Sequence, residues 1–156
     1  MHISRAVESD LETVKNITYE TIKTVYPRYY PAGVVDFFIT HHSTENIMAD
    51  IVSGNIFLAM IENKAVGTIT IKNIEICRFF VLPQYQGKGY GKALMEYAEG
   101  EIFLRSEIIK LDSSLPAKRI YIKNGYKVFK YHTMPINNGD YLCYDVMEKS
   151  LGSESC

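Results

Sequence analysis

The sequence predicts a mixed α/β sheet protein in one domain, and three observations carry that. Short apolar or β-branched runs are interspersed with amphipathic runs of helical spacing. A glycine-rich loop stands between one run of each kind. The 156 residues suffice for one sizeable core and would be strained as two. The predicted order is a strand, three helices, three strands, the glycine loop, then helix, strand, helix and two strands.

Residues 2–7 read as a strand. Ser9-x-x-Glu12 reads as a capping box for a helix with Leu11, Val14, Thr18, Ile22 and Val25 on its apolar face, ended by Pro27. Tyr26-Pro27-Arg28-Tyr29-Tyr30-Pro31 is too rich in proline and aromatics for a plain linker and reads as a lid. Pro31 suits a helix start, so 34–41 and 44–53 read as helices, the second stopped by Gly54. His41 and His42 end the first and are expected to favour its negative pole. Residues 56–61 and 65–72 form a hairpin around Glu62-Asn63-Lys64, and 75–82 is a third strand. Leu94, Tyr97, Ala98, Glu101 and Ile102 share one face of a helix over 89–104. A strand follows at 107–111. Ser114 is expected to cap a helix carrying Ala117, Ile120, Tyr121 and Asn124, stopped at Gly125. Strands 127–133 and 141–148 close the domain through Asn137-Asn138-Gly139-Asp140. The domain is expected over 1–151, with 152–156 as a frayed tail.

An apolar fraction of 47%, a charged fraction of 22% and net charge −1 fit a globular protein and give no general basic surface for nucleic acid. Cys77, Cys143 and Cys156 are odd in number and form no CxxC pair, so neither a disulfide framework nor a metal site is expected, and a reducing cytoplasm fits. No apolar run reaches the roughly 18 residues of a membrane span, and no basic-then-apolar leader opens the chain.

Without Cβ atoms at Gly87, Gly89 and Gly91, the loop can take positive φ and approach a ligand closely. A helix starting near Gly89 would present unpaired amides and a positive dipole end, which suits phosphate or pyrophosphate. A P-loop would need glycine at Gln86 and a hydroxyl at Ala93. A Rossmann loop would need Gly-x-Gly-x-x-Gly early in a βαβ repeat. Neither is met.

Gln86-Gly87-Lys88-Gly89-Tyr90-Gly91, preceded by Val-Leu-Pro-Gln-Tyr, resembles the Gln/Arg-x-x-Gly-x-Gly/Ala motif of the GCN5-related N-acetyltransferase (GNAT) family. Downstream, the segment from Ser114 through Ala117, Tyr121, Lys123 and Gly125 to Tyr126 resembles that family's Asn-x-x-Ala-x-x-x-Tyr-x-Lys-x-Gly-Phe/Tyr. The likeness spans about 56–148. It implies the GNAT acyl-CoA N-acyltransferase fold: a central, mostly antiparallel sheet, splayed between its fourth and fifth strands, with helices on both faces. It also implies transfer of an acetyl group from acetyl-CoA (coenzyme A) to a primary amine by direct attack in a ternary complex. The family is commonly dimeric, which makes a homodimer an option.

By the same resemblance, Gln86, Gly87, Lys88, Gly89, Tyr90, Gly91 and Lys92 would hold the cofactor, mainly through backbone N–H groups. Lys88 would add charge near a phosphate or simply be solvated. Ser114, Ala117 and Tyr121 would complete that site, with Ser114 where many members have Asn and so one contact shorter. A backbone N–H among Phe80, Val81 and Leu82 would meet the acetyl carbonyl. Tyr121 would give a proton to the leaving thiolate, since a phenol near pKa 10 and a thiol near 8.5 are close in energy; as one of an apolar face it could instead be core. Glu75 stands at the offset of the general-base glutamate of the histone-acetyltransferase branch. Strand alternation groups it with Cys77, Phe79 and Val81, apolar company that would raise its carboxyl. It could equally be an exposed strand end, with a water chain as base. Arg28, Tyr29 and Tyr30, faced by Tyr141, would line the acceptor pocket, with Tyr144 as strand packing. The acceptor could be a small amine, amino acid, antibiotic, polyamine, or a protein N-terminus or lysine. Rival readings are a non-catalytic acyl-CoA-binding or sensing module and a nucleotide-binding phosphotransferase.

Overall fold

Alternating and continuous apolar runs become strands, and runs of helical period become helices, in the computed structural model, which describes residues 1–136 and 138–152. The strands are β1 (His2–Arg5), β2 (Ile56–Ile61), β3 (Lys64–Lys72), β4 (Glu75–Val81), β5 (Ile108–Ser113), β6 (Lys127–Pro135) and β7 (Tyr141–Ser150). The helices are α1 (Leu11–Val25), α2 (Ala32–His41), α3 (Thr44–Val52), α4 (Tyr90–Phe103) and α5 (Leu115–Lys123). One seven-stranded sheet runs in the order β1-β2-β3-β4-β5-β7-β6. Every neighbouring pair is antiparallel except β4–β5, which pairs only Glu75 with Lys110 and Ile76 with Leu111. Beyond Ile76 these two strands part, so the mixed sheet splayed between its fourth and fifth strands is what the chain forms.

Both faces of the sheet are covered. Ile69, Ile71 and Val81 pack with Leu94, Met95, Ala98 and Ile102 of α4 on one face. Leu58 and Phe80 pack with Val14, Ile17, Ile22 and Ile47 of α1 and α3 on the other. This is why β3 is buried continuously from Val66 to Ile71.

Several local expectations change. The Ser9–Glu12 capping box is not formed. A 3₁₀ turn at Glu8–Asp10 ends β1 early, and the short Asp10 carboxylate reaches back to accept the Val7 N–H at 2.9 Å. The segment read as a lid is a second 3₁₀ turn whose Tyr26 and Tyr30 are buried, with rings 4.8 and 5.4 Å from Phe38. Ser43 caps α3 by accepting the Asn46 N–H. In the last turn Gly139 takes φ 85°, while Asn137 lies outside the described residues, as does the expected frayed tail beyond Gly152. Among the described residues no helix is long and apolar enough to cross a membrane.

Register matters most in β4. Ile71 faces Ile76 but Thr70 faces Arg78, so Cys77 is an extra, bulged residue. The bulge reverses the alternation assumed for this strand: Glu75 shares the face of Arg78 and Phe80, not that of Phe79 and Val81. Arg78 thereby enters the layer of α1–α3, where its Nη1 donates to Asp50 Oδ2 at 3.2 Å and Thr70 Oγ1 at 2.9 Å. Lys72 reaches Asp50 from the surface at 2.7 Å.

Removing one partner of a buried ion pair strands the other, so Asp50→Ala is expected to cost about 3–5 kcal/mol in urea unfolding. Lys72→Ala, at the half-exposed end of the network, should cost less than about 1 kcal/mol in the same measurement.

Candidate active site

Where β4 and β5 part, a cleft of about 1070 Å³ opens, walled by both strands, α5, the start of α4, the end of α2 and β7. Val81 explains how the strand end stays unpaired. Its carbonyl accepts from Gln86 Nε2 at 2.9 Å, which fills the acceptor a neighbouring strand would otherwise use; Thr21 Oγ1 lies 3.3 Å away but is closer to Ile17 O, at 2.8 Å, for its one proton. Of the three predicted N–H candidates, Leu82 donates to Val66 O at 2.9 Å, and Phe80, opposite Thr68, falls in the same ladder phase. The N–H of Val81 points the other way, into the gap.

The loop after β4 begins with a 3₁₀ turn, Pro83–Tyr85, that takes the Gln86 N–H through Pro83 O. Gln86 therefore braces the loop through its side chain and has no backbone donor to spare. Gly87 and Gly89 take φ 73° and 89°, and Gly89 is the N-cap of α4. Gly91 is different: its φ is ordinary, and a Cβ there would come within 3.3 Å of Phe79 Cζ, so glycine lets α4 press onto β4. The first intrahelical bond is Ala93 N–H to Gly89 O, leaving the amides of Tyr90, Gly91 and Lys92 without helical partners at the positive end of the dipole. Gln86, Gly87, Gly89, Gly91 and Lys92 line the cleft. Tyr90 packs against Tyr85, and Lys88 is exposed, its ammonium 5.3 Å from the Tyr85 ring.

Across the cleft stands Tyr121, 5% exposed, between the rings of Phe79 and Tyr126. Its hydroxyl has no protein partner among the described residues, and burial pushes its phenol well above the ordinary tyrosine range. The near match with a thiol predicted from ordinary values is thus lost, and the group stays a proton-bearing donor. Ser114 and Ala117 line the same wall. Ser114 occupies the N-cap position of α5, but its hydroxyl does not cap the helix; it accepts from Tyr26 OH at 3.3 Å. The cap comes from Tyr30, whose hydroxyl accepts the Leu115 N–H at 2.7 Å.

At the other end the walls are Phe37, Phe38, Phe80, Leu142 and Tyr144, with Glu75, Asp112, His41 and His42 among them. Glu75 is exposed, and so is Cys77, so the apolar company expected around the carboxylate is absent; the bulge at Cys77 is the reason. Burial raises the Asp112 carboxyl, while His132 and His41 pull it down. Tyr29 and Tyr141 are 50% and 60% exposed, and neither they nor Arg28 lines the cleft; Tyr30 acts through α5.

His42 departs from its expected role as a cation at a helix end. It is 6% exposed, and burial, aided by Arg78, His41 and Lys72, lowers its pKa to about 3. Sequence reasoning missed this residue as a site candidate because its partner Arg78 lies far along the chain. Tyr26 was also missed, although it follows Ile22 by one helical turn, where α1 runs into the 3₁₀ turn, and both are buried.

Residues 53–128 match the family model of the acetyltransferase (GNAT) domain. No curated protein matches the sequence. Among solved structures, the chain is similar to a GCN5-related N-acetyltransferase from Rhodopseudomonas palustris, with 24% identity over 96% of this chain and 95% of that one, TM-score 0.87. It is similar to the PaiA N-acetyltransferase from Thermoplasma acidophilum, solved with coenzyme A, with 24% identity over 96% and 98%, TM-score 0.75. A third likeness is to yncA from Salmonella typhimurium, solved with its cofactor acetyl-CoA, with 15% identity over 100% and 96%, TM-score 0.72.

Because the folded pKa of His42 is depressed from 6.5 to about 3, its contribution is whole above pH 6.5 and falls as pH drops toward 3, where the unfolded chain binds a proton the native state refuses. Stability measured by urea unfolding should therefore fall more steeply below pH 6 in wild type than in His42→Gln, the slopes differing by up to about 1.4 kcal/mol per pH unit.

Proposed function

Because the chain carries a domain of the GNAT acetyltransferase family at residues 53–128, we propose that it moves an acetyl group from acetyl-CoA to a primary amine by direct attack in a ternary complex. The observation that carries this reading is one cleft bounded on one side by the unpaired amides opening α4 and on the other by the unpartnered Tyr121 hydroxyl. Those groups fit the cofactor: two left-handed glycines and a helix N-terminus suit a pyrophosphate, and the parted strands leave room beside them for an extended arm.

When bound, acetyl-CoA would supply the activated acetyl thioester. The amides from Gly87 to Lys92 hold its diphosphate. Val81 N–H donates to the carbonyl oxygen as negative charge grows there, an effect worth about 3–4 kcal/mol. Tyr121 donates its phenolic proton toward the departing sulfur; with its pKa raised, it acts mainly as a hydrogen-bond donor. Glu75, at the exposed mouth, is assigned the amine's proton, taken through water. Lys72, Lys92 and Lys110 line the cleft but each has a carboxylate partner, whereas Glu75 and Asp112 form no ion pair among the described residues. That imbalance draws a cationic amine inward. The proposal extends to a cytoplasmic setting, supported by the free thiols of Cys77 and Cys143, and to a homodimer, supported by the exposed edge strand β6. It includes neither nucleic acid nor membrane as partner.

Free-CoA release across a panel of amines tests the reading. Tyr121→Phe is expected to lower kcat about 100-fold while acetyl-CoA affinity is retained. Acetyl-CoA at 100 times its Kd should stabilise the protein by about 2.7 kcal/mol. Stabilisation by ATP with magnesium in its place would sink the proposal, and stabilisation by acetyl-CoA without turnover of any amine would favour a sensing module.

A further inference from the structure

Arg78 is 4% exposed, and its guanidinium is fixed by Asp50 and Thr70 through Nη1. Its remaining role is directed at a neighbour: Nε donates to His42 Nδ1 at 3.3 Å. Guanidinium has donors and no acceptor, so Nδ1 is the lone-pair nitrogen of the imidazole and Nε2 bears the proton. The ring is wedged edge-on against Phe80 and His41, at 5.5 and 5.1 Å between centroids, and forms part of the cleft wall. Nε2 has no protein partner among the described residues. Nε2 is not among the fully enclosed side-chain atoms that lack a partner, so with His42 in the cleft wall this N–H is open to solvent and free to donate to a ligand oxygen.

The surroundings hold this tautomer. Arg78 from β4, Lys72 from β3 and the neighbouring His41 of α2 oppose a second proton on the ring, as does burial. Asp50 of α3, the nearest carboxylate of the network, is engaged by Arg78 and Lys72. From α1, Tyr19 OH bonds the His42 carbonyl and leaves the ring alone.

Building on the acetyl-transfer reading, we propose that His42 determines acceptor specificity by donating from Nε2–H to an oxygen of the substrate. The acceptor is then an amine that carries a hydrogen-bond-accepting oxygen next to an apolar or aromatic body. The body is matched by Phe37, Phe38, Phe80, Leu142 and Tyr144, which wall the same end of the cleft. Recognition of this kind discriminates strongly, because an analogue that displaces the water of the cleft but lacks the oxygen leaves the donor unpaired.

Two readouts test it. In full-length protein labelled with ¹⁵N-histidine, with the His42 signals assigned by their loss in His42→Phe, Nε2 should be protonated and Nδ1 unprotonated, unchanged from about pH 8 to pH 5. This spectrum reports on the ring whether or not acetyl transfer occurs, so it fails separately from the functional reading. A protonated Nδ1, or titration near the ordinary histidine value, overturns the assignment. The second readout compares phenylalanine amide with 2-phenylethylamine, which lacks the carbonyl oxygen. Phenylalanine amide is expected to have a KM lower by about tenfold and to shift the Nε2 signal, while 2-phenylethylamine does not shift it. His42→Phe should erase the difference in KM without changing KM for acetyl-CoA. His42→Gln, which can both accept from Arg78 and donate to the ligand, should restore it. Equal KM values for the two amines in wild type, or an unchanged preference in a folded His42→Phe, would overturn the proposal.

Discussion

The parting of β4 from β5 is the constraint on which the site depends. A parallel pair that continued past Ile76 would consume the amides of Phe79 and Val81 in a ladder and close the gap between the strands. A strand end left open in a protein interior needs its polar groups met by something else. Here the Gln86 side chain meets the Val81 carbonyl, so the gap is held open by a hydrogen bond made outside the sheet. Gln86 thus has a structural reason to begin the glycine loop: the side chain that satisfies the strand end also fixes where the loop starts.

Two layers of different character meet at that gap. On the α4 side the packing is apolar and close, and Gly91 is there because a Cβ would press on Phe79. On the side of α1–α3 a charged network is buried: Asp50, Arg78, Thr70 and His42, reached from outside by Lys72. Buried charges are costly unless each hydrogen-bonding group is met. In this network His42 has one nitrogen engaged by Arg78 and the other, Nε2, without a protein partner among the described residues, and the residue lines the cleft. An arrangement that is merely tolerated elsewhere becomes a way of fixing a donor without mobile parts.

Much of this was legible in the sequence where the signal is local. The element order follows from periodicity, the glycine loop from its spacing between a strand and a helix, and the Tyr121 segment from residues within one helix. What escaped depends on pairing across the chain. The bulge at Cys77 exists only in the register of β4 against β3, so simple alternation placed Glu75 on the wrong face. Ser114 reads as a helix cap because serine usually is one; that Tyr26 engages its hydroxyl is fixed by packing between distant segments. His42 looks like a cation at a helix end until Arg78 is placed beside it. Gly91 resembles its neighbours in the loop, and only its closeness to Phe79 separates its role from theirs.

The hydroxyl of Tyr30 on the first amide of α5 joins segments 85 residues apart. Closing so long a loop is opposed by chain entropy and is repaid only when much else is in place. The Tyr121 wall therefore depends on the segment between α1 and α2 being docked against the start of α5. Loosening the segment that carries Tyr30 would then impair the Tyr121 side of the cleft at a distance, with no residue of the glycine loop altered.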